Sequence, residues 1–330
     1  YKRDGWYWIL CPAGGVAGGW QLAMRSKSPY GPYEWKRVLE RGKTTMNGPH
    51  QGGWIHTKYG EDWFIHFQDK GPYGRVCHLQ PVDWSSGWPV MGNAGEPYWK
   101  FRKPKSDSKT IVNPVETDEF DSSKLGMQWQ WQNDYKESYG QATSMGFFRL
   151  FTYALPELGD VSNLWYVPNM LLQKTPADEF TATTKLSFCS RNSDQYVGLV
   201  CMSAEYSSVG LQRTEDGYEL QIRHNPNAMR THLTDEVLTV DTLKPTQKGT
   251  PRKGRPAEMH IKDVYLRMSI KDSKVNYAYS IDGKKWKKAG GEYAMGKGRW
   301  IGSKIGFFAV DPNKTGRKGF IDIDWFRISR

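Results

Sequence analysis

The sequence predicts an all-β protein in two parts, and three observations carry that expectation. No segment keeps the helical period over any useful length. Residues 1 to about 100 read as short aromatic runs cut by Gly- and Pro-rich turns. From Asp118 onward, longer runs alternate apolar and polar residues and reverse at Asp-Gly pairs. The first part fits a sandwich, a barrel or propeller blades. The second fits a two-sheet sandwich. A chain of 330 residues is also long enough for two domains.

Taken in order, Asp4-Gly5 opens an aromatic strand over Gly5–Leu10, closed by Pro12-Ala13-Gly14-Gly15. Trp20–Ser26 is a second strand, ending in a turn built on Pro29, Gly31 and Pro32. Glu61–Asp69 is a third, with Trp63, Ile65 and Phe67 on one face and Phe64, His66 and Gln68 on the other. Arg75–Val82 is a fourth. The segment FRKPKSDSKTIVNPVET is polar, basic and carries Pro104 and Pro114, so residues 101–115 read as a semi-rigid linker.

Beyond it, Val264, Leu266, Met268 and Ile270 alternate with polar neighbours, as do Val275, Tyr277, Tyr279 and Ile281. Asp282-Gly283 then turns the chain into Lys284-Lys285-Trp286. Runs at Tyr196–Ser203, Val209–Arg213 and Tyr218–Arg223 repeat the style, with Asp216-Gly217 as a turn. Phe320–Phe326 closes the chain in the same manner.

Aromatic residues make up 14% of the chain, with 15 Trp beside 34 Gly. That mixture suits flat sugar faces, and it equally suits an aromatic β core. The net charge of +11, from 46 basic against 35 acidic residues, allows a polyanionic partner. The basic residues are scattered, however, with modest clusters at Lys100–Lys109 and Lys248–Arg255 that match no nucleic-acid motif, so nucleic-acid binding is not expected. No run of 18 apolar residues suggests a membrane-spanning helix. Cys11, Cys77, Cys189 and Cys201 form no CxxC pair, so a zinc site is not expected. Cys189 and Cys201 lie in neighbouring strand-like runs and either pair or stay buried and free.

On particular stretches the chain resembles a known family. YKRDGWYWILCPAGG, WQLAMRSKSPYGPYE, NGPHQGGW, GEDWFIHFQD, YGRVCHLQPVDW and GWPV resemble, in order and spacing, the later blades of a family 43 glycoside hydrolase, a five-bladed β-propeller. DEFDSSKLGMQWQWQ, YSIDGKKW, IGFFAV and DIDWFRI resemble the concanavalin-like C-terminal sandwich of its β-xylosidases and α-L-arabinofuranosidases. The resemblance implies a partial propeller over residues 1–100 and a jelly-roll-like sandwich over 116–330. It implies inverting release of terminal xylose or arabinose from plant hemicellulose: xylan, arabinoxylan or xyloglucan side chains. It also implies a secreted or periplasmic protein. A non-catalytic carbohydrate-binding protein built on the same sandwich is the alternative.

Inverting hydrolysis needs two carboxyl groups far enough apart to admit a water, one a general acid of raised pKa and one a base. In the family these groups, with an orienting Asp, lie on earlier blades. Tyr1 is therefore read as a cut point, the acid and base are expected upstream of it, and the missing N-terminal part is an expected partner. Asp4, Glu61, Asp62, Asp69 and Asp83 sit in turns or at strand ends and read as solvated.

By the same resemblance, His50 points down the propeller axis and helps hold a calcium ion through water, since imidazole is a poor direct calcium ligand. Arg75 matches an arginine that reaches the sugar and the base carboxylate, where its fixed charge keeps that carboxylate ionised. Gln51, beside His50, and Gln68 are candidate donors to sugar hydroxyls. Trp20, after Gly18-Gly19, is a candidate stacking platform or a core residue. Glu116, Asp118, Asp322 and Asp324, near the two ends of the sandwich segment, are candidate ligands of a second calcium. Trp129-Gln130-Trp131 is either core or a segment that the sandwich lends to the sugar site.

Overall fold

The computed structural model describes residues 1–110, 112–155, 163–230, 233–298, 300–313 and 316–330. Among these no α-helix occurs, only single 3-10 turns between strands, and the chain is all-β. It divides into two compact units, Tyr1–Val112 and Asn113–Arg330.

The first unit is two four-stranded antiparallel meanders, each a propeller blade. One blade is β1 (Lys2–Arg3), β2 (Trp6–Ala13), β3 (Trp20–Ser26) and β4 (Glu34–Leu39). The other is β5 (Gly53–His56), β6 (Asp62–Asp69), β7 (Arg75–Asp83) and β8 (Val90–Met91). Strand β2 continues past Leu10 through Cys11, Pro12 and Ala13, each paired with β3, so Pro12 does not end it. Phe64, His66 and Gln68 form the buried face of β6; on the opposite face Trp63 is buried as well, while Ile65 is exposed. A core of Trp8, Ala23, Val38, Leu39, Phe64 and Met91 joins the two blades.

Many of the tryptophans in this unit pack against arginine. Arg25 lies 4.4 Å from the Trp6 ring and 4.3 Å from Trp88, and it bonds Glu34 at 2.6 Å and the Gly87 carbonyl at 2.7 Å. Arg3 lies 4.4 Å from the Trp84 ring and bonds Asp62 at 2.8 Å. Such contacts combine stacking with charge, and the weakly hydrated guanidinium tolerates them. They absorb part of the aromatic content and part of the positive charge.

The segment expected to be a linker is, in its first half, part of the second blade. The Phe101 ring packs on Trp63 and Tyr98. Glu61 accepts from the Arg102 guanidinium at 2.5 Å and from the Lys105 backbone at 2.8 Å. Asp107 accepts from Lys58 and Tyr59. The boundary therefore falls at Val112 rather than at 100. Polar composition and two prolines read as a semi-rigid linker, but the first of these residues spend their polar groups on the blade.

The second unit is a sandwich of two sheets. Its strands are β9 (Gln130–Trp131), β10 (Gly140–Ala142), β11 (Phe148–Phe151), β12 (Tyr153–Ala154), β13 (Leu171–Lys174), β14 (Phe180–Ser190), β15 (Tyr196–Met202) and β16 (Tyr206–Arg213). They continue with β17 (Tyr218–Asn225), β18 (Glu236–Leu243), β19 (Gln247–Lys248), β20 (Met259–Lys271), β21 (Lys274–Ser280), β22 (Lys287–Ala294), β23 (Lys304–Asp311) and β24 (Phe320–Ser329). One sheet runs β10-β11-β24-β14-β20-β21-β22 with β19 added on β20. The other runs β18-β17-β16-β15-β23-β13-β9, with β12 added on β23.

The alternating residues read from the sequence line the interior. Val264, Leu266, Met268, Ile270, Val275, Tyr277 and Tyr279 are buried, and only Ile281, beyond the end of β21, is exposed. At the turn that follows, the Asp282 carboxylate accepts the backbone N–H groups of Lys284 and Lys285, both at 2.8 Å, which lowers its pKa to about 2. Cys189 and Cys201 are free, one on β14 and the other on β15 in the opposite sheet.

Candidate functional site

His50 lies near the end of the loop that leads from β4 to β5. Its ring is almost fully buried, and Nε2 lies 2.8 Å from the Gly15 carbonyl in the β2–β3 turn. A carbonyl only accepts, so Nε2 carries the hydrogen. The other ring nitrogen, Nδ1, is buried and finds no hydrogen-bond partner among the described residues. The ring edge meets Phe67 at 6.5 Å and 84°.

Glycine makes this approach possible. A Cβ on Gly19 would stand 2.2 Å from the Gly15 oxygen and 2.4 Å from His50 Cδ2. A Cβ on Gly14 would stand 2.2 Å from the Trp20 ring, whose own neighbour is Arg37 at 3.9 Å. The half-buried Trp20 ring thus lies over the bare backbone of Gly14, in the turn that anchors His50.

From Phe67 the cluster extends to Arg75. The two residues lie on the paired strands β6 and β7, and the guanidinium sits 4.4 Å from the Phe67 ring. Arg75 is exposed, and among the described residues no carboxylate pairs with it. Gln51 is exposed as well, with φ +57°. The structure therefore gathers His50, Phe67 and Arg75 in one chain of contacts, with Gln51 next to His50 and Trp20 on the adjoining turn.

Gln68 is placed differently. Its amide nitrogen donates to the Thr45 carbonyl at 3.0 Å and its oxygen faces His78 Nε2 at 3.2 Å. Both polar ends are engaged inside the blade, so this buried side chain acts as a brace of the loop before His50.

Sequence reasoning missed the imidazole pair beside it. His66 and His78 are register partners whose rings stack at 5.5 Å, with Phe64 on the far side of His66 at 6.2 Å. Burial drives the His66 pKa down to about 4, helped by the nearby His78 and His50. The signal that could have found it was the polar run of His66 and Gln68 on the face of β6 that carries Phe64.

The carboxylates of this unit that are clearly perturbed all shift the same way. Glu61, Asp62, Asp83 and Asp107 are held below the usual carboxylate range. Asp62 is the most enclosed of them; burial pushes its pKa up, and hydrogen bonds from His56, Trp54 and Arg3 outweigh that push. A general acid needs the opposite shift. These groups are braces that stay ionised.

In the sandwich, the four acids expected to share a calcium ion do not converge. Glu116 pairs with Arg330 at 2.6 Å. Asp322 forms a two-pronged pair with Arg149 at 2.7 and 2.8 Å, and Asp324 pairs with Lys185 at 2.5 Å. Asp118 bridges to Phe326, whose side chain is buried in the core, and accepts the Trp129 indole N–H at 2.7 Å. Asp118 thus lies on the inner face of the sheet, whereas Asp322 alternates with the buried Ile321 and Ile323 and faces outward. Each acid has its own donor, and together they do not make a calcium cage. Trp129 is a core residue, packed against Phe120, Phe307 and Phe326.

Comparison with known proteins agrees with both units. Residues 1–89 match the family model of the glycosyl hydrolases family 43, and residues 117–329 match that of the beta xylosidase C-terminal concanavalin A-like domain. A putative beta-xylosidase of Xylanibacter ruminicola is 33% identical over 312 residues, covering 92% of this chain and 53% of that protein. A non-reducing end alpha-L-arabinofuranosidase of Bacteroides ovatus is 24% identical over 299 residues, covering 85% and 51%. The crystal structure of a GH43 protein from Bacillus licheniformis superposes with a TM-score of 0.81 at 24% identity, over 99% of this chain and 63% of that one, a likeness of fold. The chain spans about half the length of the curated relatives it matches. No helix among the described residues is long and apolar enough to cross a membrane.

Proposed function

The chain belongs to family 43 of the glycosyl hydrolases, and from that premise we propose that it is part of an enzyme that releases terminal xylose or arabinose from plant hemicellulose with inversion. The observation that carries the reading is the succession of two propeller blades and a β-xylosidase-type sandwich in one chain. Relatives named as a beta-xylosidase and an arabinofuranosidase support both sugars.

In this reading residues 1–112 supply the sugar-facing and charge-setting groups. Arg75 is exposed, cationic and held over Phe67, so its fork can meet a sugar hydroxyl and a catalytic carboxylate at once. That charge keeps the base ionised while a separate acid protonates the leaving oxygen. In this reading the acid comes from a blade other than these two, since the perturbed carboxylates of residues 1–112 are held ionised by structural partners, and the family resemblance assigns the base to an earlier blade as well. Trp20 and Gln51 border the same turn and contact the pentose.

A calcium ion at the propeller axis fits one feature of the site. With Nε2 bound to Gly15, the lone pair of His50 Nδ1 suits a water of a hydrated cation. Such an ion would add positive charge near the sugar site. We also place the protein outside the cytoplasm, where a hemicellulose polymer is met.

The test is turnover by the whole protein of aryl β-xylosides and α-L-arabinofuranosides, with the product anomer followed by NMR. First appearance of the inverted anomer, and its loss in Arg75→Ala, is expected. Tight binding of xylo-oligosaccharides without hydrolysis would favour a carbohydrate-binding protein instead. Retention of configuration would overturn the single-displacement mechanism.

A further inference from the structure

Strands β14 and β20 bring three unlike side chains together on the outer face of the sandwich. Cys189 and His260 are direct register partners, so their side chains share a face. Glu258 lies two residues before His260 and joins them by the period of two. On β14 the neighbours of Cys189 point inward: Phe188 packs on Tyr218, and Ser190 Oγ lies 3.1 Å from the Tyr218 hydroxyl. Cys189 Sγ is 3.6 Å from His260 Nε2, which is 2.9 Å from Glu258 Oε1. All three ligand atoms fall within 4.8 Å of one another.

We propose that Cys189, Glu258 and His260 form a binding site for a borderline-soft divalent cation of the zinc class, which ties β14 to β20. The donor set is one sulfur, one imidazole nitrogen and one carboxylate oxygen, a mixture that zinc accepts and that calcium and magnesium do not. A tetrahedral zinc with a sulfur at ~2.3 Å and a nitrogen at ~2.0 Å sets those atoms roughly 3.5 Å apart. The observed 3.6 Å already meets that spacing. The imidazole–carboxylate pair, at 2.9 Å, needs to open by only about half an ångström.

Arg191 bonds the other oxygen of Glu258 at 2.8 Å, which leaves Oε1 turned toward the sulfur and nitrogen. A hydrogen bond of this kind, to the oxygen that does not face the ion, orients a ligand. Its positive charge opposes the cation, and the thiolate and carboxylate together neutralise the ion's two charges. His260 and Glu258 are partly exposed, at 28% and 39% of their side chains, so the ion can enter and a water can complete its shell. On loading, the Cys189 thiol gives its proton to solvent and the sulfur takes the metal bond.

The probe is Co2+, followed by Zn2+ displacement, on the intact protein in metal-free buffer. One Co2+ per chain is expected, with a thiolate-to-cobalt band that Zn2+ abolishes. Cys189→Ala and His260→Gln should each remove the band, Glu258→Gln should weaken binding about tenfold or more, and Cys77→Ser, at an exposed cysteine, should leave it unchanged. Thermal melts without metal show whether each variant folds, and zinc should raise the midpoint of the wild type but not of Cys189→Ala. Absence of a stoichiometric cobalt band in the wild type, or a band that survives Cys189→Ala or vanishes in Cys77→Ser, would overturn the proposal.

Discussion

The Trp129 indole donates to the Asp118 carboxylate at 2.7 Å, inside the sandwich and beside the strand that closes the chain. The same carboxylate accepts the Phe120 backbone N–H at 2.9 Å and the Gln128 amide at 3.1 Å. It therefore organises the turn that enters the sandwich. Removing it strands a buried indole N–H, a loss of roughly 2 kcal/mol. Asp118→Ala should lower stability by about that amount in denaturant melts, and Asp118→Asn, which can still accept, by about half. Equal losses in both variants would point to a role for the charge itself.

Much of the architecture was legible because strands announce themselves locally. The alternation through Val264–Ile270 and the Asp282-Gly283 turn sit in the structure as the pattern implies. What was not legible depended on partners far along the chain. Glu34–Leu39 and Gly53–His56 are short strands whose pairing decides their state, and neither stood out. The acids at 118, 322 and 324 look alike in sequence, yet Asp118 turns inward beside Phe326 and Trp129, while Asp322 and Asp324 each pair with a different cation on the outer face. Of the sugar-site candidates, Arg75 and Gln51 are exposed, Trp20 is half-buried, and Gln68 turned inward because Thr45 and His78 offered it better partners.

His66 makes the blade unit sensitive to acid. Its pKa is held at about 4 in the fold, against an ordinary 6.5. The unfolded chain therefore takes up the proton first as pH falls. The stability this group confers is complete above pH 6.5 and is lost progressively down to pH 4, by at most on the order of 3 kcal/mol. The pKa of His78 is also lowered by burial and adds in the same direction. His66→Phe keeps a flat ring between Phe64 and His78, and should flatten the stability profile between pH 6.5 and 4 while changing little at pH 7.5. An unchanged slope would mean that another group carries the acid response.

The position of Gly14, below Trp20, admits no side chain. Gly14 has φ +78° and its missing Cβ would collide with the Trp20 ring at 2.2 Å. Gly14→Ala should therefore cost about 1–3 kcal/mol from backbone strain and the displaced ring, with a shift in tryptophan emission. If Trp20 is a sugar platform, KM should rise in this variant more than kcat falls. A rise in KM with unaltered emission would place the sugar contact elsewhere.

Arg75 separates function from stability most cleanly. It is exposed and its guanidinium rests on the Phe67 ring, so removal should alter folding by no more than about half a kcal/mol. In the whole enzyme, loss of a forked, charged contact to sugar and base should lower kcat/KM by roughly a hundredfold, about 3 kcal/mol. Arg75→Lys restores the charge but not the fork, and should recover only a minor part of that loss. The measurement is a kcat and KM comparison of wild type, Arg75→Lys and Arg75→Ala at matched stability. Activity within a factor of about three in Arg75→Ala would reduce the residue to a surface cation and move the sugar site away from the Phe67–His50 cluster.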